Sequence, residues 1–181
     1  MLESIINQSG VIQSGIIQSS INQSGINQSS AVETLDIRRF LPHSGVMVLL
    51  DRLLEVGPED LWAEVNIRPD SMFCDAHGVP GWVGVEYMAQ AIAAYAGYAA
   101  QLCGDAVKIG FLLGTRRYEA NCSSFAIGSR LKIHIHRILQ ADNGIGSFEC
   151  HIHSAGQQLA SATVTVFQPA DAAVFLEGSS E

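Results

Sequence analysis

The stretch Gly81-Trp-Val-Gly-Val-Glu86-Tyr-Met-Ala-Gln90-Ala-Ile-Ala-Ala-Tyr-Ala-Gly-Tyr-Ala-Ala-Gln101-Leu-Cys103 decides the fold. Its apolar residues lie on nearly every side of a helical projection, and a helix of this kind is stable only where other elements enclose it. Glu86, Gln90 and Gln101 interrupt the apolar run, and no Lys/Arg cluster flanks it. These features favour a helix buried in a soluble fold over a membrane span. Gly104 is placed to end the helix.

The segments on either side of this helix have the alternating pattern of β-strands. Two strands precede it as a hairpin broken at Gly57-Pro58, and the others follow it. The predicted strands are residues 46–56, 61–68, 108–120, 129–140, 147–154 and 159–168. One enclosed helix with strands before and after it predicts an α+β domain in which a curved antiparallel sheet wraps the helix.

Residues 6–30 are five tandem pentads of the Ile-Asn-Gln-Ser-Gly kind. A solenoid of pentads needs several stacked coils, and five pentads form little more than one, so the isoleucines cannot be buried that way. The Gln, Ser and Gly content is typical of disorder. We therefore predict a disordered repeat over residues 1–33, a folded domain over 34–169 and a C-terminal tail over 170–181.

Composition limits the partners and the compartment. The 181 residues carry a formal charge of −8 with a pI near 5.1, and this field repels nucleic acids and anionic membranes. The four cysteines form neither a CxxC pair nor a disulfide framework, so reduced thiols are expected. The N-terminus, with Glu3, lacks the basic start and apolar run of a signal peptide. We expect a cytoplasmic protein.

The start of the helix carries the densest group of chemically useful residues. Glu86 lies in its first turns, where a carboxyl group is costly to bury without a partner, and Gln90 one turn later could orient it. His77 precedes them in a loop. The amides of Gly81 and Trp82 have no intrahelical acceptor and could hold a developing oxyanion. This arrangement suits general acid–base chemistry, although a hydrogen-bonded core carboxylate and a surface histidine are the structural alternatives.

Several blocks of the sequence resemble known dehydratases. Leu41-Pro42-His43 with Leu49-Leu50-Asp51-Arg52, followed by Pro80-Gly81 and Glu86-Tyr-Met-Ala-Gln90, resembles the 3-hydroxyacyl-acyl-carrier-protein dehydratases of fatty-acid synthesis over residues 35–168. Trp82-Val-Gly-Val-Glu86-Tyr-Met-Ala-Gln-Ala-Ile-Ala-Ala and Gly110-Phe-Leu-Leu-Gly-Thr-Arg-Arg-Tyr118 are more similar to the dehydratase-like proteins of aryl-polyene biosynthetic clusters.

The resemblance implies the hot-dog fold, a homodimer with active sites between the subunits, and a lyase that converts 3-hydroxyacyl thioesters to 2-enoyl thioesters. By the same resemblance, His77 of one chain removes the C2 proton, Glu86 of the other assists departure of the C3 hydroxyl, and the Gly81 amide holds the thioester oxygen. His77 lies only nine residues before Glu86, a shorter loop than in the fatty-acid enzymes. His43 is therefore the reserve histidine.

The same resemblance implies no cofactor, because the acyl group is carried on the phosphopantetheine of a carrier protein or on coenzyme A. An acidic carrier would need a local basic patch on this acidic chain, and Arg116, Arg117 and Arg38 are the candidates, although a solvated strand end explains the first two equally well. Two other functions also fit. An acyl-thioester hydrolase would use Glu86 without His77, and a non-catalytic acyl-binding subunit is possible because one fold hosts many functions.

The later strands carry four histidines. If Asn143-Gly144 forms a two-residue hairpin turn, His134 lies opposite His153 and His136 lies opposite His151 on one face of the sheet. The other face carries the core residues, so these imidazoles are expected to point to solvent, and no metal site is predicted. A one-residue change in turn length would disperse the cluster.

Overall fold

The apolar helix is the centre of the fold. It is α1, Gly84–Leu102, and a 3-10 turn at Gly81–Val83 leads into it. The computed structural model describes residues 36–169, so the predicted repeat and tail lie outside the described residues. Gly104, with a φ of +78°, follows the helix as predicted. Despite its composition, α1 does not reach the combination of length and apolarity that a bilayer-spanning helix needs, and neither does any other helix within residues 36–169.

The strands form two sheets next to this helix. They are β1 (Arg52–Val56), β2 (Asp60–Asn66), β3 (Val79–Pro80), β4 (Phe111–Ala120), β5 (Ser124–Phe125), β6 (Arg130–Gln140), β7 (Ile145–Ser154) and β8 (Gln157–Phe167). Six of them form one antiparallel sheet in the order β1-β2-β6-β7-β8-β4, and β3 pairs with β5 in a separate ribbon. The helix packs against one face of the large sheet. The predicted α+β architecture, a curved antiparallel sheet around one helix, is confirmed.

Alternation along the strands decides which side chains face α1. Ala63, Ile133, Ile152 and Ala160 form a row across four adjacent strands, and all four are fully buried. Burial of each isoleucine side chain stabilises the fold by about 1.5–3 kcal/mol. Because successive side chains point to opposite faces, a slip of one residue would place this row in water. The core therefore fixes the register of the sheet.

The first strand is shorter than predicted. Residues 46–51 are predicted as strand, but the chain there begins with a 3-10 turn, and β1 starts at Arg52. The physical reason is a helix side chain. The Leu49 amide donates to Gln90 Oε1 at 2.9 Å, and Gln90 Nε2 donates to the Met47 carbonyl at 2.8 Å. Gln90 thus takes the place of a neighbouring strand as the hydrogen-bond partner of this segment.

The turn between β6 and β7 also differs from the prediction. The Ala141 amide donates to the Ile145 carbonyl at 2.8 Å, which makes a three-residue loop ending at Gly144, with a φ of +87°. A bulge between Arg137 and Leu139 adds a second one-residue shift. Two shifts of one residue restore the alternation between faces. The histidines therefore share one face as predicted, although their predicted partners are wrong.

Three of these histidines, His134, His151 and His153, line up with Trp62 on the face away from α1. His134 lies opposite His151 rather than His153. Trp62 stacks on His134 with ring centroids 4.2 Å apart, and the His134–His151 and His151–His153 centroids are 6.4 and 6.0 Å apart. Burial lowers the pKa of His134, although Asp60 opposes the shift, and burial also lowers the pKa of His153. Both imidazoles are therefore neutral at pH 7. Within residues 36–169 no group of side chains is arranged to hold a metal ion.

Gly97 allows the N-terminal part of the domain to approach α1 closely. The 3-10 turn Ile37–Phe40 packs on a second side of the helix, where the Phe40 ring meets Tyr98 edge-on at 5.4 Å between centroids. A Cβ atom on Gly97 would overlap the Phe40 carbonyl oxygen. The contact between turn and helix therefore requires glycine for space.

Replacement of Gly97 with alanine is expected to lower the free energy of unfolding by about 1–3 kcal/mol, because the added methyl group forces the turn away from α1. Helix propensity alone predicts the opposite sign, since alanine is favoured over glycine by about 1 kcal/mol. Urea unfolding measures the sign. The matched control is Ala99→Gly at an exposed position of the same helix, with an expected loss of about 1 kcal/mol. A Gly97→Ala variant as stable as wild type would contradict the packing argument.

Candidate active site

Glu86 lies in the first turn of α1 and meets a histidine from a distant part of the chain. His43 Nε2 lies 3.9 Å from Glu86 Oε1, and the two side chains are 30% and 37% exposed. His43 Nδ1 is enclosed and has no hydrogen-bond partner among residues 36–169. The nitrogen available for proton exchange is therefore Nε2, beside the carboxylate. The structure thus brings the reserve histidine of the sequence analysis next to Glu86.

Gln90 joins the two segments that carry this pair. It is fully buried, and its Nε2 donates to Glu86 Oε1 at 2.9 Å as well as to the Met47 carbonyl. Its Oε1 accepts the Leu49 amide. One amide side chain therefore holds both the carboxylate of α1 and the loop that follows His43. The sequence spacing of four residues between Glu86 and Gln90 predicts this contact.

His77 is not part of the His43–Glu86 pair. Its side chain is exposed in the loop before β3, where its amide donates to Asp75 Oδ1 at 2.7 Å and its carbonyl accepts the Ser124 hydroxyl at 3.1 Å. Within residues 36–169 it forms no ion pair with Glu86. Pairing of His77 with a carboxylate across a subunit interface stays a prediction.

The expected oxyanion donor at Gly81 is already in use. The Gly81 amide donates to the Ser123 carbonyl at 2.8 Å, so it is not free to hold an oxyanion in this structure, and its role as an oxyanion donor stays a prediction. Ser123 precedes the short strand β5, which holds the chain beside the start of the helix. The amide of Trp82 comes next and has no acceptor within the 3-10 turn. The Trp82 ring is 64% exposed and tilts against Phe73, with centroids 5.8 Å apart.

The candidate carrier-binding arginines lie on the surface. Arg116 and Arg117 are exposed residues of β4, and Arg117 has a φ of +57° at a bulge in that strand. Arg38 is exposed and lies 3.6 Å from Asp36. Of these three arginines, only Arg38 forms an ion pair within residues 36–169, and that pair is with Asp36. None of the three pairs with Glu86.

Asp51, in the Leu-Leu-Asp-Arg block, supports the site without belonging to the predicted set. Its carboxylate accepts two hydrogen bonds from the Arg68 guanidinium, at 2.8 and 3.2 Å, and two from Asn66, at 2.5 and 3.1 Å. Burial acts to raise the pKa of Asp51, but these donors outweigh it, and the pKa lies below its ordinary value. The cluster ties the start of β1 to the end of β2 and to the loop beyond.

A cavity of 370 Å³ lies between that loop and the segment that Gln90 holds. Most of its lining is apolar, and four polar residues complete it. The lining residues are Val46, Val48, Leu49, Val65, Met72, Phe73 and Tyr87, with Asn66, Arg68, Asp70 and Ser71. Tyr87 follows Glu86 in α1, and Leu49 is the residue whose amide Gln90 holds, so the cavity borders the two segments that carry the pair, although Glu86 itself is not among its lining residues. Its size and lining are typical of a site for a small apolar group.

A family model described as ApeP-like, ApeP dehydratase, matches residues 35–177. The chain belongs to the ApeP-like dehydratase family. It is therefore a dehydratase, and the recognition of an aryl-polyene dehydratase from its motifs is confirmed. A chain of the dehydratase heterocomplex ApeI:P of Xenorhabdus doucetiae is similar, with 31% identity and a TM-score of 0.75 over 81% of this chain and 99% of that chain.

More distant solved structures share the fold. A hypothetical thioesterase with coenzyme A from Streptococcus pneumoniae is 12% identical, with a TM-score of 0.51 over 64% of this chain and 83% of that one. The smu.793 protein of Streptococcus mutans, bound to acetyl coenzyme A, is 14% identical, with a TM-score of 0.50 over 66% and 87%. At such identities the likeness shows the hot-dog fold of the ApeP-like chain and nothing about its reaction.

Asp51 predicts a pH dependence of stability. Its pKa is lowered in the folded state, so its contribution is present above the ordinary aspartate pKa of about 3.9 and is lost as the pH falls through the folded value. Asp51→Asn is expected to lower the free energy of unfolding at neutral pH by about 1–2 kcal/mol. The free energy of unfolding of this variant should also fall less than that of wild type as the pH is lowered into the acid range.

Urea unfolding at a series of pH values between neutral and acid checks this expectation. The control is Asp70→Asn, since Asp70 is 88% exposed and lies 3.9 Å from Arg68, and it should change neither quantity measurably. An Asp51→Asn variant with the acid dependence of wild type would show that Asp51 is not the linked group.

Proposed function

We propose that this ApeP-like dehydratase acts on 3-hydroxyacyl thioesters borne by a carrier protein, and that Glu86 and His43 of one chain transfer the protons. The observation that supports the proposal is the 3.9 Å separation of His43 Nε2 and Glu86 Oε1, with both groups partly open to solvent. Elimination of water next to a thioester needs a base for the C2 proton and an acid for the C3 hydroxyl. Both groups are present in one place.

In the proposed reaction His43 Nε2 accepts the C2 proton while the protonated Glu86 donates its proton to the C3 hydroxyl. The C3–O bond breaks, the C2–C3 double bond forms, and one water leaves. The proton on His43 then passes to Glu86 across the short gap, so both groups return to their starting states. The thioester itself makes the C2 proton acidic, and the scheme needs no cofactor.

The surroundings of the pair suggest how the substrate lies. The acyl group would occupy the 370 Å³ cavity beside Tyr87, while the thioester oxygen would accept the Trp82 amide in place of the expected Gly81 amide. The exposed rings of Phe73 and Trp82 would flank the pantetheine arm. This arrangement would place C2 beside His43 Nε2 and C3 beside the Glu86 carboxyl group, on the solvent-open side of the pair.

Strand β4 is the proposed contact with a second hot-dog subunit. It is the last strand in the sheet order, and no strand of residues 36–169 pairs with its outer edge. It also exposes Leu112 and Leu113, at 44% and 56%. An exposed apolar edge is a template for pairing. The similar chain from Xenorhabdus doucetiae lies in a heterocomplex, which supports a related but different partner as well as the homodimer expected from the sequence.

The carrier protein would dock on the exposed guanidinium groups of β4. Arg116 and Arg117 precede Tyr118, whose hydroxyl donates to the Gly81 carbonyl at the start of the helix. The two arginines therefore lie on the strand that borders the site. Because the chain carries a net charge of −8, an acidic carrier would be attracted by a local patch and not by the overall field.

Glu86→Gln and His43→Ala are each expected to lower kcat by about 100-fold or more, the usual contribution of a proton-transfer group. Intact mass of the carrier-bound substrate measures the loss of one water. His77→Ala should have a much smaller effect, and His136→Ala, on the outer face opposite Glu149, is the matched control. The native mass of the active sample gives the assembly.

The same experiment separates the alternatives. Loss of activity in His77→Ala with retention in His43→Ala would replace His43 by His77 as the base. Release of the free carrier thiol would establish a thioesterase. An unchanged substrate with wild-type protein and its partner would contradict the proposed function.

Arg116→Glu with Arg117→Glu is expected to raise KM for the carrier-borne substrate by about 10-fold at low salt, because docking of an acidic protein depends on these charges. KM for the same acyl group on free pantetheine should stay unchanged, and so should kcat. Arg38→Glu is the control, since Arg38 already lies beside Asp36. Steady-state kinetics with the two substrate forms make the comparison. An equal rise in KM for both forms would place the arginines in the acyl site instead.

A further inference from the structure

Tyr118 reaches from the edge of the sheet to the backbone at the start of the helix. Its hydroxyl donates to the Gly81 carbonyl, which also accepts the amide of Gly84. Burial raises the pKa of Tyr118 to about 12, so the hydroxyl keeps its proton and remains a donor over the physiological range. The sequence analysis gave Tyr118 no role of its own.

A bulge in β4 is what turns Tyr118 towards the helix. Arg116 pairs with Thr163, and continuation of that register would place Tyr118 opposite Ser161, on the outer face. The bulge instead lets Glu119 pair with Ser161, which leaves Tyr118 on the helix side of the sheet. The left-handed φ of +57° at Arg117 belongs to this bulge. Such a conformation costs about 1–2 kcal/mol for a residue with a side chain, and strain of this kind is concentrated at functional sites.

Gly84 makes room for the same hydroxyl. Its φ of −55° and ψ of −30° are ordinary helical values, so its backbone does not require glycine. A glycine at a helical position is destabilising by about 1 kcal/mol relative to alanine. A Cβ atom there would collide with the Tyr118 hydroxyl. The sequence therefore tolerates a weaker helix start where Tyr118 enters.

The group held by Tyr118 is the peptide between Gly81 and Trp82. In a planar trans peptide the carbonyl and the N–H point in opposite directions, so fixing the Gly81 oxygen fixes the direction of the Trp82 N–H. Two donors on that oxygen also polarise the peptide and strengthen its N–H as a donor. The preceding amide, that of Gly81, is occupied by Ser123. The Trp82 N–H is therefore the donor whose direction Tyr118 controls.

We propose that Tyr118 is a positioning residue for the dehydration, acting through the Gly81–Trp82 peptide so that the Trp82 N–H meets the thioester oxygen of the substrate. The inference rests on the proposed function, since it assumes that the thioester lies beside Glu86. Tyr118 touches no reacting atom. Its contribution is to keep the donor aimed before the substrate arrives, which lowers the cost of stabilising the enolate-like transition state.

Tyr118→Phe removes the hydroxyl and keeps the ring, and a chromophoric thioester reports the result. The probe is 4-dimethylaminocinnamoyl-pantetheine, whose absorption moves to longer wavelength when its carbonyl oxygen accepts a hydrogen bond. Wild-type protein in its active assembly should shift the probe. Tyr118→Phe should bind it with unchanged Kd but a smaller shift, and should lower kcat by about 10- to 100-fold with KM unchanged. The pH dependence of kcat should keep the same acid and alkaline limbs as in wild type, because Tyr118 does not titrate in the physiological range.

The matched control is Tyr95→Phe, since the Tyr95 hydroxyl donates to the Pro58 carbonyl at 2.6 Å, away from the site. It removes a similar hydrogen bond and should leave both the shift and kcat at wild-type values. Gly84→Ala is the second test. It keeps the hydroxyl but displaces it, and it should reproduce the smaller shift.

The outcomes separate the two proposals. A wild-type protein that dehydrates the substrate while Tyr118→Phe and Gly84→Ala keep the full shift and full kcat would overturn the role of Tyr118 alone. A wild-type protein that turns over but never shifts the probe would overturn the Trp82 donor, and Tyr118 with it. Absence of dehydration by the wild-type assembly would instead count against the proposed function. If Tyr118→Phe does not fold, Gly84→Ala decides.

Discussion

One buried amide holds the fold and the candidate site together. Gln90 is fully buried, and its hydrogen bonds reach Glu86, the Met47 carbonyl and the Leu49 amide. A buried polar side chain is destabilising unless its donors and acceptors are satisfied. Gln90 is therefore stable in the core only when the His43 loop has docked on the helix. The contacts that satisfy Gln90 in the core are thus the same contacts that hold the segment after His43 against the helix that carries Glu86.

The regular elements could be predicted because burial leaves a pattern in the sequence. The helix has too many apolar sides to stand alone, and the alternation in β6, β7 and β8 marks their inner faces. Irregular features leave no such pattern. The bulge between Arg137 and Leu139 and the longer turn before Ile145 each add one residue without a change in composition. The early end of the first predicted strand depends on Gln90, whose contact is distant in sequence.

The candidate site likewise contains some residues that the sequence predicts and others that it does not. Glu86 is predictable because buried positions of an apolar helix normally carry apolar side chains, and a carboxyl group among them indicates a functional site. The sequence ranks His43 behind His77, because a histidine beside proline before a strand is usually a packing or hydrogen-bonding residue. The 43 residues between His43 and Glu86 carry no information about their distance in space. The partner of the Gly81 amide, Ser123, adjoins a strand of only two residues, which is too short to show any periodicity.

The irregular edge of β4 has a consequence for assembly. The strand contains two shifts of register, one between Leu112 and Gly114 and one between Arg116 and Glu119. Bulges bend a strand and interrupt the even spacing of its backbone groups. A flat, regular strand from an unrelated chain finds few groups in reach on such an edge, whereas a subunit with matching irregularities finds many. The shape of this edge therefore restricts backbone pairing to strands that can follow the same bends.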